Sequence, residues 1–168
     1  MGLKILIIGS GGREHAISWI ISKSKRDIEK IFVMPGNAGT LTEKNVFNIE
    51  CDINNHKAVL NFALENKIDL TIVGPEVPLV KGISDLFEEK NLNIFGPKKY
   101  FAQLEGSKVF SKNFMDSNNL PTAKYKEFND SKKAKEYLDD KKIPIVIKYD
   151  GLAAGKGVDI CETIDDAK

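Results

Sequence analysis

The sequence comprises 168 residues with a formal net charge of +1, because 25 lysines and arginines nearly balance 24 aspartates and glutamates. Apolar residues make up 42% and charged residues 29%, which is typical of a globular chain and excludes a disordered polar chain or a collagen-like repeat. A balanced charge gives no electrostatic reason to expect a nucleic-acid partner. The length fits one domain, or one domain and part of a second.

The two cysteines and the N-terminus bear on the cellular compartment. Cys51 and Cys161 are too few for a disulfide framework, which favours free thiols in a reducing environment. The apolar run at residues 5–8 is shorter than the ~7–15 apolar residues of a secretory signal or the ~20 of a membrane-spanning helix. We therefore expect a cytoplasmic protein without a membrane partner.

Short β-branched strands alternate with glycine-containing loops and helices through the first hundred residues. Strands are predicted at residues 4–8, 31–34, 45–49, 70–73 and 93–95. Helices are predicted at residues 15–22, after a cap at Asn55, and through Ile83 and Phe87. This alternation predicts an α/β fold with a doubly wound, Rossmann-like parallel sheet, in which ligands bind beyond the carboxyl ends of the strands.

The pattern changes after about residue 103. Ser107 is the predicted cap of a helix over residues 108–118, which Pro121 ends. A strand at residues 125–128, a helix at 131–138 and strands at 143–148 and 158–161 are predicted to follow. We place the domain boundary within residues 103–120 and describe the domains as 1–105 and 106–168. Thr163 opens a helix too close to the end of the sequence to be stable alone, so we expect the second domain to be incomplete.

The loop after the first strand, GSGGREH at residues 9–15, favours a phosphate ligand. Glycines let the backbone approach an anion, and the start of a helix offers unpaired N–H groups. The candidate residues are Gly9, Ser10, Gly11, Gly12, Arg13 and Glu14. A dinucleotide fingerprint would need glycine at the position of Glu14, so NAD is disfavoured, while a tight turn without a ligand stays open.

Two further loops follow strands and carry polar side chains. The first contains Pro35, Gly36 and Asn37, and the second contains Gly74, Pro75 and Glu76. The Asn37 amide either bonds a sugar hydroxyl or closes a turn on its own backbone. The Glu76 carboxylate either binds an amine or hydroxyl or is a surface charge.

The second part of the chain contains a candidate nucleotide-phosphate clamp. Lys148 ends a predicted strand and precedes a turn of small residues, whose bare backbone suits phosphate groups. The turn consists of Gly151, Leu152, Ala153, Ala154, Gly155, Lys156 and Gly157. It is not a P-loop, because no serine or threonine follows Lys156 and Gly157. Lys108, from a different element, would add a second ammonium group, although each lysine alone is typical of a surface.

Six motifs in order resemble one family along the whole chain. They are GSGGREH, PGNAGT at 35–40, GPEVPLV at 74–80, FGP at 95–97, QLEGSK at 103–108 and IKYDGLAAGKGV at 147–158. This set closely resembles the phosphoribosylamine–glycine ligases (glycinamide ribonucleotide synthetases), ATP-grasp enzymes of purine biosynthesis. The resemblance implies a Rossmann-like pre-ATP-grasp domain followed by the beginning of an α+β ATP-grasp domain.

The resemblance also implies substrates and cofactors. The family joins 5-phosphoribosylamine and glycine through a glycyl phosphate, using ATP with Mg²⁺ or Mn²⁺. Gly9–Gly12 and Arg13 would then face the ribose 5-phosphate, and the loops at 35–37 and 74–76 would line the ribosylamine pocket. Lys108 and Lys148 match the two nucleotide-phosphate lysines, and residues 151–157 match the mobile turn over ATP. Tyr149 departs from the family, whose members often carry alanine there.

Family members are much longer than this chain. By the resemblance, the metal ligands, the adenine hinge and the glycine site would all lie beyond residue 168. We therefore expect no metal site and no catalytic residue within the chain, and no catalysis by the chain alone. Two alternatives stay open, a different ATP-grasp carboxylate–amine ligase and a non-catalytic phosphosugar-binding α/β module.

Overall fold

The computed structural model describes residues 2–153 and 155–168, so Met1 and Ala154 lie outside it. The chain divides into two units, of which the first ends at Ala102 and the second spans Gln103–Lys168. The strands, in chain order, are β1 (Leu3–Gly9), β2 (Ile28–Pro35), β3 (Val46–Asn48), β4 (Leu70–Val73), β5 (Ile94–Phe95), β6 (Ile145–Lys148) and β7 (Val158–Cys161). The helices are α1 (Gly12–Ser22), α2 (His56–Glu65), α3 (Glu76–Val80), α4 (Ile83–Glu88), α5 (Lys99–Gly106), α6 (Lys108–Ser117), α7 (Ser131–Leu138) and α8 (Ile164–Ala167).

The first unit is built on a five-stranded sheet in the order β3-β2-β1-β4-β5. Every neighbouring pair is parallel, which confirms the doubly wound α/β fold predicted from the sequence. β1 lies at the centre, and its residues Ile5, Leu6, Ile7 and Ile8 are buried. A continuous apolar run suits this position because a central parallel strand is covered on both faces.

Side chains of β1 alternate between two apolar clusters on opposite faces of the sheet. Leu6 and Ile8 pack with residues of α2, α3 and α4, including the fully buried Phe87. Ile5 and Ile7 belong to the second cluster, against which Ile17 and Ile21 of α1 and residues of β4 pack. This two-sided packing fixes the directions of the strands, and so decides where the loops after them lie.

Three of the predicted helix starts are capped by the side chains that the sequence indicated. The side-chain oxygens of Asn55, Ser107 and Thr163 accept hydrogen bonds from backbone N–H groups three residues later, at 3.2, 3.0 and 3.0 Å. Each bond satisfies a donor that has no partner within the helix. These caps fix the starts of α2, α6 and α8.

Other element predictions need correction. Residues 125–128 form neither strand nor helix, so the predicted strand is wrong. The Tyr125 hydroxyl donates to Asn113 Oδ1 of α6 at 2.5 Å, and the segment has no ladder partner among the described residues. α1 begins at Gly12, earlier than predicted, and the helix predicted through Ile83 and Phe87 is preceded by α3, with Gly82 at φ +91° between them.

The second unit contains an antiparallel pair of strands. β6 and β7 pair from Ile145 opposite Cys161 to Lys148 opposite Val158, which confirms the two strands predicted around the glycine-rich turn. Helix α7 begins after Asp130, whose carboxylate accepts from Lys133 N–H at 3.0 Å. Among the helices that the described residues form, none is both long and apolar enough to cross a membrane.

We predict that His56 makes the first unit less stable in mild acid. Burial, and the charge of nearby Lys81, lower the pKa of His56 below its ordinary value of 6.5. The unfolded chain therefore binds the proton more readily, so the stabilisation is complete above pH 6.5 and is lost as pH falls toward the folded-state pKa. Urea unfolding followed by fluorescence of Trp19 should give a falling unfolding free energy between about pH 7 and 5.5. H56Q should flatten this slope, and an equal slope in the variant would contradict the prediction.

Candidate functional site

The carboxyl ends of β1, β2 and β4 meet at one edge of the sheet. Gly9 pairs with Pro35 in the parallel register, and Gly36 N–H donates to Gly9 O at 3.1 Å. Gly74 N–H donates to Ile8 O at 3.0 Å. The structure thus brings together the three loops that the sequence singled out, residues 9–14, 35–37 and 74–76.

Glu14 lies beneath these loops with only 3% of its surface exposed. Its Oε2 accepts from Gly11 N–H at 2.6 Å, and its Oε1 accepts from Arg13 Nε at 3.1 Å. A carboxylate can be buried at acceptable free energy when charged and backbone donors satisfy it. Glu14 thereby ties the start of α1 to the loop after β1.

Arg13 lies at the surface of the same edge, with 56% of its side chain exposed. Its Nε faces Glu14, while Nη1 lies 3.6 Å from Glu76 Oε1 at the start of α3. Pro75 precedes Glu76 in an extended conformation as the N-cap of α3. One guanidinium group is therefore held between two carboxylates, one in the first turn of α1 and one at the start of α3, with its outer side in solvent.

Asn37 closes a turn on its own backbone and also bridges to the neighbouring loop. Its Oδ1 accepts from the N–H groups of Gly39 and Thr40 at 2.8 and 3.1 Å, which forms the turn predicted as one of two alternatives. Its Nδ2 donates to Ser10 O at 2.8 Å and to Gly11 O at 3.3 Å. Asn37 thus fixes the spacing between the loops after β1 and β2.

Two polar residues that were not among the candidate site residues support this turn. Thr40 is fully buried, and its hydroxyl accepts from Asn37 N–H at 2.9 Å and lies 2.6 Å from Asn48 Oδ1. The Asn48 amide in turn donates to Asn37 O at 2.8 Å. Thr40 ends the motif PGNAGT and could be suspected from it, whereas Asn48 stands in a weak strand and carries no sequence signal.

The start of α1 offers donors next to Arg13. The first N–H groups of a helix have no acceptor within it, and the helix dipole favours an anion there. A Cβ built on Gly12 meets nothing within 4 Å, so this position borders open space. Backbone donors and a guanidinium group on one open edge are suited chemically to a phosphate.

In the second unit, the start of α6 is bonded to the beginning of the glycine-rich turn. Lys108 Nζ donates to Gly151 O at 2.9 Å. The Asp150 carboxylate accepts from Ser107 Oγ at 3.1 Å and from Val109 N–H at 3.2 Å. Lys108 is therefore in direct contact with the predicted turn, and Asp150 adds a second connection between α6 and the turn that the sequence did not indicate.

The glycine-rich turn connects β6 with β7. Tyr149 N–H donates to Gly157 O at 2.9 Å, and Lys156 N–H donates to Ala153 O at 2.8 Å. Lys148 and Lys156 are exposed, and Leu152 is 38% exposed. Gly151 and Gly155 have φ angles of +127° and +80°, which side-chain-bearing residues rarely adopt. The predicted turn residue Ala154 lies outside the described residues.

Tyr149, which follows Lys148, lies against this turn. A Cβ on Gly151 would come 3.1 Å from the Tyr149 ring, and a Cβ on Gly157 would come 3.2 Å from Tyr149 Cβ.

Within residues 2–153 and 155–168, no group of three or more His, Cys, Asp or Glu side chains is arranged to hold a metal ion.

Comparisons with known proteins agree with the motifs. Residues 3–105 match the phosphoribosylglycinamide synthetase N domain, and residues 106–168 match the ATP-grasp (A) domain of the same synthetase. The chain is 51% identical over 166 residues to phosphoribosylamine–glycine ligase of Escherichia coli K12, covering 99% of this chain and 38% of the relative. It is 54% identical over 160 residues to the Clostridium acetobutylicum ligase, covering 95% of this chain and 38% of the relative.

Solved structures extend this similarity to the fold. The phosphoribosylamine–glycine ligase of Thermotoga maritima superposes with a TM-score of 0.73 at 32% identity, covering 98% of this chain and 37% of that chain. The N5-carboxyaminoimidazole ribonucleotide synthetase PurK gives a TM-score of 0.77 at 19% identity over 99% of this chain and 43% of that one, a likeness of fold alone. The chain spans 38% of the length of the curated relatives that it matches. The matched domains and the identity to the ligases show that the chain belongs to the phosphoribosylglycinamide synthetase family.

Proposed function

We propose that the chain supplies part of an ATP-dependent ligase that joins 5-phosphoribosylamine and glycine into glycinamide ribonucleotide in purine biosynthesis. The observation that carries the proposal is the meeting of three loops around Arg13 and the start of α1, in a chain of this family. We assign the phosphoribosylamine side to residues 1–105 and the first part of the ATP-grasp domain to residues 106–168. The proposed compartment is the cytoplasm.

In the proposed pocket, each loop has a distinct task. The 5-phosphate lies against the backbone of Gly9–Gly12 and the guanidinium of Arg13, where positive charge and N–H donors coincide. The turn at 35–37 shapes the wall of the pocket, because Asn37 bonds its own backbone and the carbonyl of Ser10. The carboxylate of Glu76 offers an acceptor to the amine or a ribose hydroxyl, and the buried Glu14 lies beneath the same loops.

In the proposed nucleotide site, Lys108 and Lys148 neutralise phosphate charge, and residues 151–157 exclude water from it. Bound ATP supplies the phosphoryl group that converts the glycine carboxylate into a glycyl phosphate. The described residues offer no donor cluster that fits Mg²⁺ or Mn²⁺, so no step is assigned to a metal here. Exposure of Lys148 and the contact of Lys108 with the turn are compatible with both lysines reaching a phosphate.

We predict that ribose 5-phosphate binds the chain through Arg13. Calorimetric titration should give saturable binding that R13A weakens by about tenfold or more, because a charge-assisted bond to a phosphate is lost. R26A is the matched control, since Arg13 and Arg26 are the two arginines of the sequence and Arg26 is exposed outside the three loops. An equal loss of affinity for ribose 5-phosphate in R13A and R26A would contradict the proposed pocket. Binding of NAD in place of ribose 5-phosphate would also contradict it.

The ligation itself is tested with a coupled assay of ADP release in the presence of phosphoribosylamine, glycine, ATP and Mg²⁺. Because the curated relatives are more than twice as long as the chain, the proposal assigns no glycine site to these residues. We expect no turnover by the chain alone. Turnover at the rate of a full-length relative would overturn this assignment.

A further inference from the structure

Glu14 is the one charged side chain that is buried among the described residues. Only 4% of its side chain is exposed, whereas Arg13 and Glu76 beside it are 56% and 44% exposed. Burial of a carboxylate needs compensating donors, and Glu14 obtains them from the Gly11 N–H and Arg13 Nε. Both donors belong to the loop and helix start assigned to the phosphate in the proposed function.

Three glycines of the site enclose this carboxylate. A Cβ on Gly9 would lie 2.7 Å from Glu14 Cδ, a Cβ on Gly11 would lie 3.0 Å from Glu14 Oε2, and a Cβ on Gly74 would overlap the same carboxylate. Gly12 differs, because a Cβ there meets nothing within 4 Å. The absence of side chains at Gly9, Gly11 and Gly74 therefore makes room for a residue of the protein, and Gly12 alone of these four borders open space.

The two hydrogen bonds of Glu14 orient the backbone before α1 and the guanidinium group of Arg13. The bond to Gly11 N–H fixes the residue before α1, and so fixes the direction of the N–H groups that follow. The bond to Arg13 Nε occupies the inner nitrogen of the guanidinium and leaves the terminal nitrogens for other acceptors, one of which is Glu76 at 3.6 Å. Both effects are lost if the carboxylate becomes neutral or moves.

We infer that Glu14 is a positioning residue of this site: it holds Gly11 and Arg13 in the orientation that receives the phosphate, without touching the ligand itself. This inference rests on the proposed function for the identity of the ligand. Within the Gly9–Gly12 segment of the proposed phosphate site, Gly12 is then the position most open to the anion, and the space that Glu14 needs explains why Gly9, Gly11 and Gly74 lack side chains.

The direction in which E14Q changes the affinity for ribose 5-phosphate separates this positioning role from a simple effect of charge. E14Q keeps the shape of the side chain but removes a negative charge close to the anion, so an electrostatic role alone would tighten ribose 5-phosphate binding. The positioning role requires the opposite, because an amide cannot accept from both Gly11 N–H and Arg13 Nε with the same strength. We expect the dissociation constant to rise at least tenfold, with the thermal midpoint measured in parallel.

E29Q is the matched control, because Glu29 also forms an ion pair, with Lys4 at 3.6 Å, but is exposed. The dissociation constant of E29Q for ribose 5-phosphate should equal that of the unmodified chain. G74A provides a second route, since the added methyl group displaces the Glu14 carboxylate without altering that residue. It should weaken ribose 5-phosphate binding in the same direction as E14Q. Unchanged or tighter binding in E14Q would overturn the inference.

Nuclear magnetic resonance of the unmodified chain tests the same contacts without any variant. The Gly11 amide proton should resonate far downfield, as expected for a short bond to a carboxylate, and Arg13 Nε–H should exchange slowly with solvent. Titration with ribose 5-phosphate should shift the amides of Gly12 and Arg13 and leave the Glu14 carboxyl carbon nearly unchanged. A Glu14 carboxyl carbon that shifts most, or an ordinary Gly11 amide in the free chain, would overturn the inference. Failure of ribose 5-phosphate to bind at all refutes the proposed function, while the Gly11 and Arg13 signals of the free chain still report on Glu14.

Discussion

Replacing Phe87 with alanine should lower the free energy of unfolding of the first unit by about 3–5 kcal/mol. Phe87 is fully buried on α4, within the cluster that contains Leu6 and Ile8 of the central strand. Removing the ring loses its transfer free energy and leaves a cavity between helix and sheet, which the surrounding side chains fill only in part. Urea denaturation followed by the fluorescence of Trp19, the single tryptophan of the chain, measures this unit specifically.

Phe95 provides the matched control, because it is the same residue type in the same unit and is 72% exposed. F95A should change the unfolding free energy by less than about 1 kcal/mol. Similar losses in F87A and F95A would mean that α4 does not pack on the sheet as described.

Replacing Gly36 with alanine should destabilise the first unit by about 2–4 kcal/mol and weaken ribose 5-phosphate binding as well. Gly36 has a φ of +76°, which disfavours any residue with a Cβ, and that Cβ would overlap the Asn48 amide. Asn48 is held by Thr40 and by the Asn37 carbonyl, so its displacement breaks hydrogen bonds in the turn that connects to Ser10. Urea unfolding and calorimetric titration measure the two effects on the same variant.

The variant G12A separates the effect on stability from the effect on ribose 5-phosphate binding. The methyl group of G12A meets nothing within 4 Å, and alanine at the first turn of α1 favours the helix, so stability should be unchanged or slightly higher. The same methyl group stands where the proposed phosphate approaches the backbone, so affinity should fall. If G36A were as stable as G12A, the structure of the turn at 35–37 would be contradicted.

Most of the fold could be predicted because β1, β2 and β4 contain short apolar runs and the loops that follow them contain glycine. Residues 5–8 are buried on both faces, and such a run has few alternatives in an α/β chain. Residues 125–128 show the limit of this reasoning. The aromatic residues Tyr125 and Phe128 suit a strand, but a strand also needs a partner, and Tyr125 bonds to Asn113 of α6 instead. The residue types of a segment indicate which structure it favours, but they do not identify its neighbour.

The site, like the fold, has features that the sequence predicts and features that it does not. The meeting of the three loops was predictable, because carboxyl ends of parallel strands share one edge of the sheet. The burial of Glu14 was not, since it depends on Gly74, which lies far away in the sequence and leaves the space that the carboxylate fills. The bond between Ser107 and Asp150 was likewise hidden, because the cap at Ser107 is a local signal and its carboxylate partner is a long-range one.

If Lys108 binds a nucleotide phosphate as proposed, the bond from its Nζ to the Gly151 carbonyl has a kinetic consequence. An incoming anion that recruits this ammonium group competes with a resident acceptor, so association includes an exchange step in addition to diffusion. The same exchange breaks the hydrogen bond to Gly151, whose backbone begins the turn between β6 and β7. Capture of the anion and release of the turn would then be two aspects of one molecular event, with a rate set by how often the Lys108–Gly151 bond opens.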